Sequence, residues 1–136
     1  MRRRSLLAAV LVLSSCRLLT SDDREAADLR GRWTYTGTQA TPQLDLSGEL
    51  LITSQTGSQV EGTATWEERD PVGNVQLAAG NVFGRAIGYT DVDFDIVGET
   101  ADRRHVARLV ADTMVGIWVE GVGGATGEFR AVRVER

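Results

Sequence analysis

The chain is poor in the side chains that most often carry chemistry. It has one cysteine, Cys16, and one histidine, His105, and its 15 basic residues are all arginine. A single cysteine leaves no internal disulfide, so the fold must hold by packing alone. One histidine beside one cysteine leaves few ligands for a zinc site of the usual type. No Ser-His-Asp arrangement is visible around His105, which reads as a surface or rim histidine. The absence of lysine carries no functional meaning. Long apolar runs are missing too: residues 6–13 form a run of eight, well short of the roughly 20 that a membrane-spanning helix needs. Helical patterning nearly vanishes after Leu29, which excludes the α/β folds that carry phosphate-binding loops.

What the chain does have begins with Met1-Arg2-Arg3-Arg4, a positive start followed by that short apolar run, as in a signal peptide. Leu13-Ser14-Ser15-Cys16 then resembles the lipobox of bacterial lipoprotein signal peptides, with Leu, two small residues and Cys in these positions. The resemblance implies diacylglycerol on the Cys16 thiol, cleavage before it and acylation, commonly palmitate, of the new amine. Two or more chains make a stable membrane anchor where one gives marginal binding. The alternative is an ordinary secretory peptide that contains a cysteine. The expected division is signal peptide 1–15, lipidated Cys16 and tether 16–30, and one domain 31–136. Arg17 stands where an aspartate would imply inner-membrane retention, so the expected location is the bacterial envelope, on the periplasmic or outer-membrane face.

Removing residues 1–15 from the 136 leaves 121, enough for one domain. Their 12 arginines stand against 19 acids, a formal balance of −7. Such a surface repels nucleic acid and anionic lipid. Residues 17–30 are charged and small and read as a flexible tether, with a helical turn near Asp23–Leu29 as the alternative.

From Gly31 onward the pattern has period two. Leu44, Leu46, Gly48, Leu50 and Ile52 alternate with Asp45, Ser47, Glu49, Leu51 and Thr53. Val60, Gly62, Ala64 and Trp66 do the same after the turn-rich residues 54–58. Val75–Ala79 and Val82–Ala86 have opposite parity, which predicts a bulge near Gly80-Asn81. Asp91, Asp93 and Asp95 alternate with Val92, Phe94 and Ile96. From Arg104 to Ala111 the parity is ambiguous, Val106 and Val110 competing with Ala107 and Leu109. A tight turn follows, then Met114, Gly116 and Trp118, a glycine-rich loop over 121–127, and Phe129, Ala131 and Arg133. The sum is all-β: eight strands with short connections, hence antiparallel neighbours. An eight-stranded up-and-down β-barrel, a meander without exposed edges, is the leading arrangement and a two-sheet β-sandwich the alternative.

Gly31-Arg32-Trp33 on the first strand is similar to the Gly-x-Trp signature of the lipocalin and avidin superfamily. The resemblance implies that Trp33 closes the barrel floor and that an arginine of the last strand, Arg133 or alternatively Arg130, stacks across it. Gly116-Ile117-Trp118 and Gly127-Glu128-Phe129 resemble the closing hairpin of small lipocalin-like lipoproteins. The missing helix after the barrel brings the chain nearer to avidins, but no set of biotin contacts matches.

Candidate chemistry is sparse. Asp91, Asp93 and Asp95 lack the glycine and glutamate of an EF-hand and read as an outer stripe facing Arg85, Arg103 or Arg104. Glu67, Glu68 and Asp70 read as a solvated turn cluster, not a catalytic pair. The expected lining comprises Trp33, Tyr35, Leu44, Leu46, Leu50, Ile52, Val60, Ala64, Trp66, Val82, Ala86, Phe94, Ile96, Met114, Trp118 and Phe129. The small residues Gly48, Gly62, Ala64, Gly84, Ala86 and Gly116 either leave room inside or relieve crowding where strands bend. If there is room, Tyr35, Trp66, Phe94, Met114 and Trp118 are the candidate contacts for a small apolar or amphipathic ligand. The competing expectation is a filled barrel acting as an envelope structural or protein-interaction module. No catalytic residue, metal or cofactor is called for; the membrane, through Cys16, is the expected partner, with any protein partner left open.

Overall fold

The computed structural model describes residues 25–99, 101–121 and 124–136. Leu13, Ser14, Ser15 and Cys16, with the leader and most of the tether, lie outside them. Eight strands follow in chain order: β1 Gly31–Gln39, β2 Leu44–Thr56, β3 Gln59–Arg69, β4 Val75–Ile87, β5 Asp91–Gly98, β6 Asp102–Val110, β7 Thr113–Glu120 and β8 Thr126–Glu135. Each pairs antiparallel with its neighbour, and β8 returns to β1, closing an up-and-down barrel. The β-sandwich is thereby excluded.

The alternation of apolar and polar residues positions the wall. Inward side chains such as Trp33, Leu50, Val82, Met114 and Ala131 are fully buried, while their chain neighbours Thr34, Arg32 and Thr113 are exposed or half-buried. A strand whose side chains alternate between faces can bury one set only against a closed interior. In β6 the inward set is Arg103, His105, Ala107 and Leu109, which leaves Val106 and Val110 outside. His105 is therefore a core residue and not a surface or rim one. Cross-strand register fixes this outcome: His105 pairs with Phe94 on one side and Trp118 on the other, both inward.

The bulge also falls elsewhere. β4 pairs with β3 without a register shift from Val75 to Arg85, so no bulge stands at Gly80-Asn81. Register shifts lie instead between Ile52 and Ser54 of β2 against β3 and between Arg32 and Trp33 of β1 against β8. β4 keeps one parity because its first residues need not face a core. β5 pairs with β4 only from Gly80 onward, so the β3–β4 hairpin overhangs the barrel and leaves Val75 and Leu77 exposed.

The inner glycines relieve crowding. A Cβ on Gly62 would fall 1.9 Å from the Leu51 carbonyl oxygen, and one on Gly116 would fall 1.9 Å from that of Val106. These are close approaches of neighbouring backbones, where only glycine fits.

Candidate functional site

The two ends of the barrel differ in construction. One end gathers the turns after β2, β4 and β6 and the start of β1. Residues 25–30, the last part of the expected tether, lie in non-helical conformation across this end, so the helical turn offered as the alternative does not form over them. Their four successive carbonyls from Ala27 to Arg30 accept, in order, from Gln55 Nε2, Arg133 Nη2, Trp33 Nε1 and Arg133 Nη1. The Ala27 amide donates to Gly88 O at 2.9 Å and the Leu29 amide to Gln55 Oε1 at 2.8 Å. Leu29 is buried against the core. Backbone polar groups that leave water need partners of this kind.

Trp33 and Arg133 meet here. The Arg133 guanidinium lies 4.5 Å from the Trp33 ring centroid, whereas Arg130 points outward and is exposed. Arg133 Nε stands 3.1 Å from Asp112 Oδ1 as an ion pair, without the angle of a hydrogen bond. Burial lowers the pKa of Arg133, and Asp112 opposes that shift. Hydrogen bonds and an ion pair from Arg30 hold the exposed Asp28 carboxyl at about 2.

The barrel middle is filled with stacked rings. His105 stacks on Phe94 at 4.5 Å between centroids and meets Phe129 edge-on at 4.9 Å, and Tyr35 stacks on Phe129 at 5.5 Å. The Arg103 carbonyl can only accept, so His105 Nδ1, at 3.1 Å from it, carries the proton. Nε2 then accepts from the Tyr35 hydroxyl at 3.0 Å. Burial pushes the His105 pKa down to about 3 and raises that of Tyr35.

The other end is open. It carries a cavity of about 1230 Å³ that spreads over the rim onto the outer face of β2–β4, where Ser47, Glu49, Thr65 and Glu67 stand; its inward lining includes Gln39, Leu44, Trp66, Glu68, Ala78, Ala101, Arg103, Glu120 and Ala125. The overhanging β3–β4 hairpin raises one side of this mouth. Its floor is Arg103, whose guanidinium lies 4.6 Å from the Trp118 ring and 5.3 Å from that of Trp66. Arg103 Nη2 donates to Glu68 Oε1 at 2.8 Å, and its Nε stands 3.6 Å from Glu120 Oε2. Glu68 Oε1 also accepts from Trp66 Nε1 at 3.1 Å. Beneath Arg103 the fully buried Trp118 N–H has no acceptor among the described residues; its ring edge presses on Gly127, where a Cβ would fall 2.6 Å from Nε1.

Of the five candidate ligand contacts, only Trp66 lines this cavity; Tyr35, Phe94, Met114 and Trp118 belong to the filled interior below. Two further expectations are corrected. Arg103 faces inward and is not a partner of the outer acidic stripe, whose closest ion pair is Arg104 to Asp93 at 2.7 Å. Glu68 is no solvated turn residue: it lies on β3, with its side chain 15% exposed beside Arg103. The sequence leaves Arg103 unplaced because the parity of β6 is ambiguous, though Arg103 follows the alternation of Ala107 and Leu109; Glu68 follows that of Ala64 and Trp66 on β3, which runs on to Arg69 where a turn is expected. Among the described residues no group of three or more His, Cys, Asp or Glu gathers as metal ligands.

No protein-family model matches the chain, and no curated protein matches it in sequence. Its solved structural neighbours include designed barrels. EF1p2_mFAP2b bound to DFHBI aligns with TM-score 0.63 at 11% identity, over 77% of this chain and 93% of that one. A redesigned β-barrel, mFAP1, bound to DFHBI, aligns with TM-score 0.63 at 9% identity, over 77% and 94%. A de novo designed fluorescence-activating β-barrel gives 0.59 at 11%, over 76% and 92%. At these identities the likeness is one of fold.

Proposed function

We propose that this chain is a lipid-anchored, non-enzymatic barrel of the bacterial envelope that binds a small apolar or amphipathic molecule in its open mouth. The observation that carries the reading is the asymmetry of the ends: one is sealed by residues 25–30, and the other holds a cavity of about 1230 Å³ with Trp66 in its wall. A pocket pairing apolar surface with a few fixed polar groups is the usual form of a small-molecule site. The titratable groups of the interior support a structural role, His105 and Tyr35 being buried and bonded to each other. Similar designed barrels bind DFHBI, which supports ligand binding as something this architecture can do.

Native mass spectrometry of the protein from its own host, with organic extraction, tests the reading. A co-purifying molecule lost in Trp66→Ala supports it, and empty protein across repeated preparations counts against it. Anchoring is tested separately: Cys16→Ser should release the chain from the membrane fraction, and an unchanged membrane-bound mature mass would sink that part.

A second reading, an envelope protein-interaction module, is favoured by the filled interior and by Val72, Val75 and Leu77 exposed on the overhanging hairpin. Exposed apolar patches of this kind mark contact surfaces. A partner whose capture depends on Val75 and Leu77 and not on Trp66 would decide for it.

A further inference from the structure

The mouth has a charge imbalance that its own arginine leaves uncorrected. Arg103 is the one basic side chain among the residues that line the cavity, against Glu49, Glu67, Glu68, Glu99 and Glu120. Glu49 and Glu67 stand on the outer face of the wall, where Arg32 and Arg69 engage them at 3.5 Å and 3.8 Å. Glu68 and Glu120 share Arg103, so the floor carries two carboxylates for one guanidinium, all three side chains at least four-fifths covered. Glu99 has no ion-pair partner among the described residues. A concave site with partly dry walls focuses such an excess, raising the local concentration of the opposite charge and repelling the same one.

Beside the carboxylates stand apolar surfaces: the Trp66 ring and the methyl groups of Ala78, Ala101 and Ala125. We propose that the mouth selects an amphipathic cation, its ammonium group held against Glu68 and Glu120 and its apolar body lying along Trp66. This rests on the mouth being a ligand site and adds the chemical class of the ligand. Charge neutrality at the floor is completed by the bound cation, which Arg103 alone does not achieve. An anionic amphiphile of the same shape meets the uncompensated carboxylates, and a neutral one gains the apolar contact only.

Three probes of matched shape separate these cases: phenylpropylammonium, phenylpropanol and phenylpropanoate, titrated into the full chain by calorimetry. The ammonium compound should bind about tenfold tighter than the alcohol, with the carboxylate weakest. Added salt should compress that ranking. In the Glu68→Gln/Glu120→Gln variant the preference for the cation should disappear while the alcohol's affinity is kept; near-ultraviolet circular dichroism of the three tryptophans reports that the barrel is intact. Equal binding of all three probes to the unaltered chain, or a cation preference that survives in the variant, overturns the charge selection and leaves the mouth a ligand site. Failure of every probe to bind overturns both.

Discussion

The barrel has an Arg–Trp stack at each end, and the two are put to different uses. At the closed end Arg133 lies on Trp33 and spends its donors on the Asp28 and Arg30 carbonyls. At the open end Arg103 lies on Trp118 and faces carboxylates at the base of a cavity. The same pair of residue types thus finishes a seal in one place and floors a pocket in the other. What differs is the third party: a strap of backbone that engages both terminal nitrogens of the guanidinium, or acidic side chains that exceed it in charge.

If the Arg103 stack keeps water from the interior, His105 beneath it must stay neutral far into acid. The unfolded chain takes up a proton at this side chain below about 6.5, whereas the folded one does so only near 3. Stability from this group is therefore complete above pH 6.5 and declines as pH falls, by about 1.4 kcal/mol per pH unit until the folded value is reached. This is the largest effect expected. Urea denaturation across pH 7 to 4 should show that slope, and His105→Phe should remove it; equal slopes in both proteins would mean that the mouth end is wet.

Next in size is a contrast between leucines. Leu29→Ala empties a buried site in the closing strap and should cost about 3 kcal/mol, while Leu44→Ala, half-buried at the mouth, should cost less than about 1 kcal/mol. Denaturant midpoints that coincide would erase the distinction between sealed and open ends. Exchanging the arginines for methionine sharpens it further. Arg133→Met strands two carbonyls and should cost about 2 kcal/mol; Arg103→Met should cost about 1 kcal/mol, because Glu68 and Glu120 can turn toward water at the mouth.

The smallest effect concerns a turn at the closed end, where Ala111 holds φ at 53°. Asparagine tolerates this left-handed region better than alanine, so Ala111→Asn should raise stability by about 0.5 kcal/mol in a thermal melt. A loss would show that the Ala111 methyl group contributes to the seal.

Much of this architecture is legible in local pattern. Leu44 to Ile52 and Val60 to Trp66 alternate cleanly because one face of each strand is buried and the other wet, and the short turn segments between runs force antiparallel neighbours. Where that rule relaxes, the reading fails. Val75 and Leu77 suggest an inner set of the wrong parity because they lie on a hairpin beyond the core, where no burial enforces alternation. Val106 and Val110 compete with Ala107 and Leu109 because valine is tolerated on the outside of a sheet as well as within.

The sequence by itself therefore determined eight antiparallel strands and most of the inner face, since period-two burial is a property of neighbouring residues, while closure into a barrel and not a sandwich was decided by the pairing of β8 with β1. The tertiary structure decided which way β6 faces, and with it the places of His105 and Arg103, because that choice depends on its register with β5 and β7. It also decided that residues 25–30 seal one end. Four carbonyls bonded to side chains of β1, β2 and β8 leave no periodic trace in the chain that carries them.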